Sequence, residues 1–186
     1  MRFIYVILLL TIAILSCNNP GSLAPEVPGD RHVLAPLAAG TKAKYIHIQT
    51  GKTTPAELLA FARGLAGTPY KYGSADPEQG FDCSGFVTCV FNHFGIRVPR
   101  PSVDFTFVNQ LIDIKKAKPG DLILFTGSDS SAHIVGHIGI IVSNHGSDLK
   151  FIHATSQQDL GVTETALTHY YQVRYIETIR VFPQND

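Results

Sequence analysis

The spacing of apolar residues changes from helical to strand-like along the chain. Apolar positions recur at helical spacing behind Thr54-Pro55, which predicts a helix that begins there and ends near Gly67. A second helix is predicted from Cys83 to Gly95, because apolar residues follow the cysteine at offsets of three, four, seven, eight and eleven. Short β-like runs come later, at residues 122–125, 137–142, 150–154 and 175–182. Helices followed by an antiparallel sheet predict an α+β fold.

The first residues of the chain predict export. Residues 3–15 are apolar except for Tyr5 and Thr11. This run is shorter than the roughly 20 residues that cross a bilayer, but it suits the core of a secretory signal. We therefore expect residues 1–16 to be a signal peptide.

Cys17 follows this run in the sequence ILSC, which resembles the bacterial lipoprotein signal. In such signals the cysteine is diacylated and becomes the first residue of the mature chain. Stable anchoring requires more than one acyl chain, and each chain contributes about 0.8 kcal/mol per buried CH₂. We expect Cys17 to be lipidated, which makes the protein an exported lipoprotein of the cell envelope, at the outer membrane facing the periplasm. The alternative is an ordinary signal peptide with an incidental cysteine.

The remaining chain is interpreted as a tether and one domain. Residues 17–40 comprise the lipidated cysteine and a segment rich in proline and glycine that shows no hydrophobic period. Residues 41–186 are long and apolar enough for one catalytic domain, which we expect to act as a monomer. Lys and Arg number 15 in total, as do Asp and Glu, and no basic cluster stands out. We therefore expect no nucleic-acid partner.

Cysteine usage points to Cys83 as a functional thiol. With Cys17 assigned to the lipid, only Cys83 and Cys89 remain. Six residues apart on one helix, their Cα atoms would lie about 9 Å apart, which is beyond disulfide reach. An unpaired thiol in an exported protein favours a functional role. At the start of a helix, the free N–H groups and the positive end of the dipole are expected to lower the pKa of Cys83.

A cysteine nucleophile needs a base, and His137 is the best-placed histidine. It opens a predicted strand, and a strand can hold an imidazole against the start of a helix. His153 lies on the neighbouring run, where antiparallel pairing allows a contact in which His153 orients His137. His133 lies in a loop four residues before His137 and is a less favoured candidate.

Five segments of the chain carry a resemblance to a known family. They are residues 68–73 (TPYKYG), 81–87 (FDCSGFV), 119–125 (PGDLILF), 137–140 (HIGI) and 151–154 (FIHA). In this order they resemble the successive motifs of the NlpC-type cysteine peptidases, which are papain-like bacterial enzymes that cut peptidoglycan stem peptides. The resemblance covers about residues 54–182.

The resemblance implies a papain-like fold, with the nucleophile at a helix N-terminus packed on an antiparallel sheet. It implies that Cys83 is the nucleophile, that His137 is the general base, and that His153 orients the base. Tyr70 would help the backbone N–H of Cys83 to stabilise the oxyanion.

The resemblance also implies substrate-binding residues around the nucleophile. Asp82 and Ser84 stand where family members hold the free amino end of a trimmed stem peptide. Capping of the helix by either side chain is an equally good interpretation. Tyr72 and Arg100 are assigned with them to substrate binding.

The reaction implied is hydrolysis of the bond between D-γ-glutamate and the diamino acid of peptidoglycan, through an acyl-enzyme and without a cofactor. An N-acetylmuramoyl-L-alanine amidase or an acyltransferase on the same fold is an alternative. An inactive wall-binding module is another. A zinc site formed by one cysteine and two histidines is a further alternative.

Overall fold

The computed structural model describes residues 45–108, 110–146 and 148–186, with the backbone alone at Gln158. The predicted signal peptide, Cys17 and the predicted tether lie outside the described residues. Among the described residues, no helix is long and apolar enough to cross a membrane.

The first helix, α1 (Pro55–Gly64), begins where the sequence predicts. Thr54 Oγ1 accepts a hydrogen bond from the Glu57 N–H, and the Glu57 carboxylate accepts one from the Thr54 N–H. This reciprocal cap satisfies two backbone donors that a helix start leaves unpaired. The helix buries Leu58, Leu59 and Ala62 and ends three residues before Gly67, because the N–H of Leu65 turns back to the Ala62 carbonyl.

The second helix, α2 (Cys83–His93), begins at the cysteine as predicted. Its apolar face is fully buried, with no exposed surface on Phe86, Val87, Val90 or Phe91. Gly85 is required in the first turn, because a Cβ there would lie 2.0 Å from the Ser74 carbonyl oxygen. The loop before the hairpin therefore packs directly on the start of α2.

The strands form a two-stranded hairpin and a six-stranded antiparallel sheet. The hairpin pairs β1 (Ala75–Asp76) with β2 (Gly80–Phe81), immediately before α2. The order in the large sheet is β3-β8-β4-β5-β6-β7. Its strands are β3 (Leu111–Ile112), β4 (Leu122–Thr126), β5 (Val135–His145), β6 (Asp148–Thr155), β7 (Gly161–Ala166) and β8 (Tyr175–Ile179). The predicted α+β arrangement is confirmed.

The two faces of the sheet bury different clusters. The face that carries Ile138, Ile140 and Ile152 packs with α1 and α2 in the main core. The opposite face carries a smaller cluster that includes Phe125, Phe151 and a tyrosine of the short helix α3 (His169–Gln172). The buried aromatic rings of this second cluster, Phe125, Phe151 and Tyr171, lie against the histidines of β5 and β6.

Four of the eight strands within the described residues were not predicted. β1, β2 and β3 have two residues each, too few for a pattern to form. β7 has the sequence GVTETA, whose threonines and glutamate give little hydrophobic signal. Its strand character comes from backbone pairing with β6 across six residue pairs.

Candidate active site

Cys83 is a free thiol at the first residue of α2. Only 8% of the residue is exposed, and Sγ lies 3.8 Å from the Gly136 carbonyl oxygen on β5. The start of α2 and the beginning of β5 therefore meet at the sulfur atom.

Asp82, Ser84 and Arg100 form a compact cluster beside the thiol. The Arg100 guanidinium donates to both carboxylate oxygens of Asp82, at 2.9 and 2.8 Å, and also to the Ser84 hydroxyl at 2.9 Å. Asp82 is in addition the N-cap of α2, because Oδ1 accepts the Gly85 N–H at 2.6 Å. Of the two interpretations, capping is therefore present for Asp82, whereas the Ser84 hydroxyl bonds to Asp82 and Arg100 instead.

The charge state of Asp82 follows from these contacts. Burial by itself would raise its pKa, but the bonds from Arg100 and from the Gly85 N–H hold the pKa below its ordinary value. Asp82 is therefore a carboxylate at neutral pH, directly next to Cys83 in the chain.

Tyr70 is held beside the start of α2 by backbone pairing. Lys71 N donates to the Phe81 carbonyl at 2.9 Å, and Phe81 N donates to the Pro69 carbonyl at 2.9 Å. The pKa of Tyr70 is raised by burial and by the charge that Cys83 and Asp82 can carry. A protonated phenol is a hydrogen-bond donor, as stabilisation of an oxyanion requires. Tyr72, in contrast, is 89% exposed.

His137 and His153 are joined by a direct imidazole contact, as the strand pattern predicts. His137 Nε2 lies 2.8 Å from His153 Nδ1, and the ring planes are almost perpendicular. His153 is fully buried, and its Nε2 lies 3.0 Å from the hydroxyl of Thr165 on β7. Because Nε2 of His137 faces His153, Nδ1 is its remaining ring nitrogen.

Both histidines are neutral at ordinary pH. Burial, with a smaller effect of the positive charge on Arg174, lowers the pKa of His137 to about 4. Burial, together with the neighbouring His137, also holds the pKa of His153 well below its ordinary value. Aromatic rings surround the pair, with Phe125 and Tyr171 lying against His137.

The expectation that the helix start lowers the pKa of Cys83 is wrong. Burial and the adjacent Asp82 carboxylate raise the pKa of the thiol. The N–H groups of Ser84, Ile138 and Cys83 itself oppose this shift but do not outweigh it. The resting site therefore holds a neutral thiol and a neutral imidazole.

One cavity of about 160 Å³ connects these groups, whereas a single water requires only about 15 Å³. Cys83, His137 and Tyr70 all line it. Tyr72, Asp82, Ser84 and Arg100 are not part of its lining. The other residues that line it are Gly127, Ser128, Gly136, Ala154, Thr155, Ser156, Gln157, Tyr170, Tyr171 and Arg174.

Arg174 braces the wall of the cavity. Its guanidinium donates to the carbonyl oxygens of Thr126 and Gly127, at 3.0 and 2.6 Å, and to the Tyr170 hydroxyl. Gly127 in turn packs against Gly136 so closely that a Cβ on Gly136 would lie 2.6 Å from the Gly127 Cα. The two glycines keep side chains out of this part of the cavity.

The site includes three residues that the motifs did not indicate, of which Tyr171 and Arg174 line the cavity and Thr165 lies behind His153. Thr165, Tyr171 and Arg174 lie on β7, on α3 and just after α3, and their sequence surroundings carry no signal of a site. Among the residues that the structure describes, no group of three or more His, Cys, Asp or Glu side chains is arranged to hold a metal ion.

Comparison with known proteins identifies related sequences and folds. The profile of the NlpC/P60 family matches residues 67–180. The γ-DL-glutamyl hydrolase of Bacillus subtilis (strain 168) is 28% identical over 141 residues, which cover 76% of this chain and 32% of the relative. The murein DD-endopeptidase MepH of Escherichia coli (strain K12) is 28% identical over 148 residues, which cover 77% of this chain and 52% of the relative. The chain thus spans about a third of the first relative and about half of the second.

A solved structure gives the same assignment of the fold. The crystal structure of an NlpC/P60 family protein from Bacillus cereus ATCC 10987 superposes with a TM-score of 0.63 at 25% identity, over 72% of this chain and 42% of that one. This similarity confirms the papain-like fold that the motifs implied.

Proposed function

Because the chain belongs to the NlpC/P60 family, we propose that it is a cysteine endopeptidase that cleaves the stem peptides of peptidoglycan. The observation that carries this proposal is the convergence of Cys83, Tyr70 and His137 at one cavity, with His153 in contact with His137 from behind. A thiol, an imidazole oriented by a third group, and a hydroxyl donor are the parts that acyl transfer from an amide requires.

In the proposed mechanism His137 acts as a general base at the moment of attack. The Cys83 thiol turns from the Gly136 carbonyl toward Nδ1 of His137 and transfers its proton there. The sulfur bonds to the carbonyl carbon of the substrate, and the oxyanion accepts hydrogen bonds from the Cys83 N–H and the Tyr70 hydroxyl. The protonated His137 then gives its proton to the departing amine, and water hydrolyses the thioester.

We propose the bond between D-γ-glutamate and the diamino acid as the substrate. The name of the B. subtilis relative, γ-DL-glutamyl hydrolase, supports this choice. In the proposed subsite, the cluster of Asp82, Ser84 and Arg100 binds the free amino end of a trimmed stem peptide. Tyr72, exposed outside the cavity, is assigned to the same subsite only by resemblance.

A second candidate is cleavage of the D,D cross-link between stem peptides. It is favoured by the similarity to MepH, whose name describes a DD-endopeptidase. The same fold would accommodate both bonds, since each is an amide that must reach the thiol and Tyr70.

One assay tests the proposed activity. The protein is incubated with synthetic L-Ala-γ-D-Glu-L-Lys, with the corresponding diaminopimelate peptide and with cross-linked muropeptides, and products are identified by mass spectrometry. We expect release of L-Ala-D-Glu by the wild type and none by Cys83→Ala. Cleavage of cross-links alone would favour the D,D activity, release of whole stem peptides would indicate an amidase, and identical results with Cys83→Ala would refute cysteine catalysis.

We further propose that the protein is a lipoprotein anchored through Cys17, with residues 17–40 as tether and residues 41–186 as the catalytic domain. The apolar run before ILSC supports this proposal. The test is labelling with palmitate in a bacterial host and fractionation of the membranes. Wild-type protein should carry label in the outer membrane, and Cys17→Ala should carry none. Equal labelling of the two proteins would refute the assignment.

A further inference from the structure

Thr165 is the hydrogen-bond partner of His153 on the side away from His137. β6 and β7 pair so that Phe151 lies opposite Thr165 and His153 lies opposite Thr163. Thr165 reaches diagonally to His153, and Oγ1 lies 3.0 Å from Nε2. The contact extends the His137–His153 pair to a chain of three side chains.

The positions of the ring hydrogens in this chain are coupled. If Nδ1 of His137 is to accept the thiol proton, the hydrogen of that neutral ring must be on Nε2. That N–H then donates to Nδ1 of His153, so His153 must carry its own hydrogen on Nε2. The Nε2–H requires an acceptor, which the Thr165 hydroxyl provides.

The alternative arrangement cannot support catalysis by His137. If His153 carries its hydrogen on Nδ1, it donates to Nε2 of His137, whose hydrogen is then on Nδ1. The nitrogen that faces away from His153 has no lone pair for the thiol proton in that state. The tautomer of His153 therefore decides whether His137 is a base.

A hydroxyl can donate or accept, but burial makes Thr165 the acceptor that the Nε2–H form of His153 requires. His153 has no exposed surface, and within the described residues no other side chain or backbone group is hydrogen-bonded to its Nε2. Thr165 itself is only partly buried, so its own hydrogen can be donated to solvent while the oxygen accepts from His153. A buried ring N–H without an acceptor is costly, which makes the acceptor decisive.

We infer that Thr165 is a positioning residue, whose hydroxyl keeps the hydrogen of His153 on Nε2 and so leaves Nδ1 of His137 free to accept the thiol proton. The inference rests on the proposed function, since it takes His137 as the base of the reaction. Thr165 does not line the cavity and acts through His153.

The kinetic test compares three variants of the full chain. Thr165→Val preserves the shape but removes the hydroxyl, Thr165→Ser keeps the hydroxyl, and Thr163→Val is a matched control on the same face of β7. With L-Ala-γ-D-Glu-L-Lys as substrate, Thr165→Val should lower kcat about 3- to 10-fold, the worth of one hydrogen bond, with little change in KM. Thr165→Ser and Thr163→Val should retain wild-type kcat. Equal kcat for Thr165→Val and the wild type would overturn the inference.

A second test needs no substrate, so it separates failure of this inference from failure of the proposed function. Nitrogen-15 NMR of the histidine rings should place hydrogen on Nε2 of both rings in the wild type and in Thr165→Ser. In Thr165→Val the signals should shift toward the Nδ1–H forms. Hydrogen on Nδ1 of His153 in the wild type would refute the inference, whatever the substrate proves to be.

Alkylation of Cys83 by iodoacetamide gives an independent readout. Peptide mapping by mass spectrometry follows this cysteine separately from Cys89. Near neutral pH, Thr165→Val should slow alkylation of Cys83 about 3- to 10-fold, because His137 is a poorer proton acceptor in this variant. If no peptide is cleaved but this rate and the NMR signals change as expected, the proposed function fails and the role of Thr165 stands. If Thr165→Val leaves both the histidine NMR signals and the alkylation rate unchanged, Thr165 is not a positioning residue.

Discussion

The two sides of the candidate site differ in how their polar groups are balanced. The cysteine side, which comprises Tyr70, Asp82, Cys83, Ser84 and Arg100, contains a paired carboxylate and guanidinium in hydrogen-bond contact. The histidine side comprises His137, His153, Thr165, Tyr171 and Arg174, where aromatic rings enclose two neutral imidazoles.

The comparison explains why the Cys83 thiol and the His137 imidazole are both neutral. On the cysteine side, burial and the Asp82 carboxylate raise the pKa of Cys83. On the histidine side, burial and Arg174 lower the pKa of His137 to about 4. Both pKa shifts favour the neutral thiol and the neutral imidazole over the thiolate–imidazolium pair. In the proposed mechanism, activation therefore depends on proton transfer during attack rather than on a preformed thiolate.

The largest expected effect comes from removing the base on the histidine side. His137→Gln retains a polar side chain but cannot accept the thiol proton at neutral pH. We expect kcat/KM for the tripeptide to fall about 10²- to 10⁴-fold, the usual contribution of general acid–base catalysis. The matched control is His133→Gln, in the exposed loop before β5, which should keep wild-type activity. If His137→Gln were nearly fully active, the thiolate would have to form without this base.

On the cysteine side, Tyr70→Phe should have the next largest effect. Loss of one oxyanion donor typically costs about 10²- to 10³-fold in kcat. The matched control, Tyr72→Phe, removes a hydroxyl from a tyrosine that is 89% exposed and outside the cavity. Steady-state kinetics of both variants would test the two assignments together. A higher KM for Tyr72→Phe would support its predicted role in binding, and an unchanged kcat for Tyr70→Phe would exclude an oxyanion role.

The two sides also differ in how well the sequence predicts them. Asp82, Cys83 and Ser84 are contiguous at the start of a helix, so the sequence pattern was sufficient to predict that they lie together, though not which of them caps the helix. The contact between His137 and His153 could be predicted because two apolar runs each carry one histidine. Thr165 could not, since β7 is polar and its diagonal approach to His153 depends on strand register. The direction of the Cys83 pKa shift was also missed, because burial and Asp82 are tertiary effects that outweigh the helix dipole.

The ion pair between Asp82 and Arg100 should contribute more to the free energy of unfolding than an exposed ion pair does. Asp82→Asn retains an N-cap side chain but loses the charged bond to Arg100, so the free energy of unfolding at pH 7 should fall by about 1–3 kcal/mol. Asp148→Asn removes the exposed pair with Lys150, whose charged atoms lie 3.8 Å apart, and should cost about 0–1 kcal/mol. Urea titration measures both values. Equal losses would show that the partly buried pair of Asp82 and Arg100 adds nothing beyond a surface pair.

The same pair predicts a dependence on acid pH. Because the pKa of Asp82 is lower in the folded protein, its contribution is present above the unfolded value of about 3.9 and is lost as pH falls through the folded value. The difference in unfolding free energy between wild type and Asp82→Asn should therefore shrink as the pH falls below about 4. A difference that stayed constant to the lowest pH would mean that charge does not cause it.

The smallest expected effect concerns the charge on the histidine side. His137 must be neutral to accept a proton, so its pKa of about 4 sets the acid limit of kcat/KM in the free protein. Arg174→Gln removes the positive charge that helps to lower this pKa, and the acid limb should move to higher pH. Arg174→Lys keeps the positive charge but loses the guanidinium nitrogen that donates to the carbonyls of both Thr126 and Gly127. The acid limb of this variant should therefore match that of the wild type even if kcat falls. Arg97→Gln, at an exposed position on the loop after α2, controls for net charge. An equal shift of the limb in Arg174→Lys and Arg174→Gln would assign the effect to the brace rather than to the charge, and Arg174 would then act on His137 by packing alone.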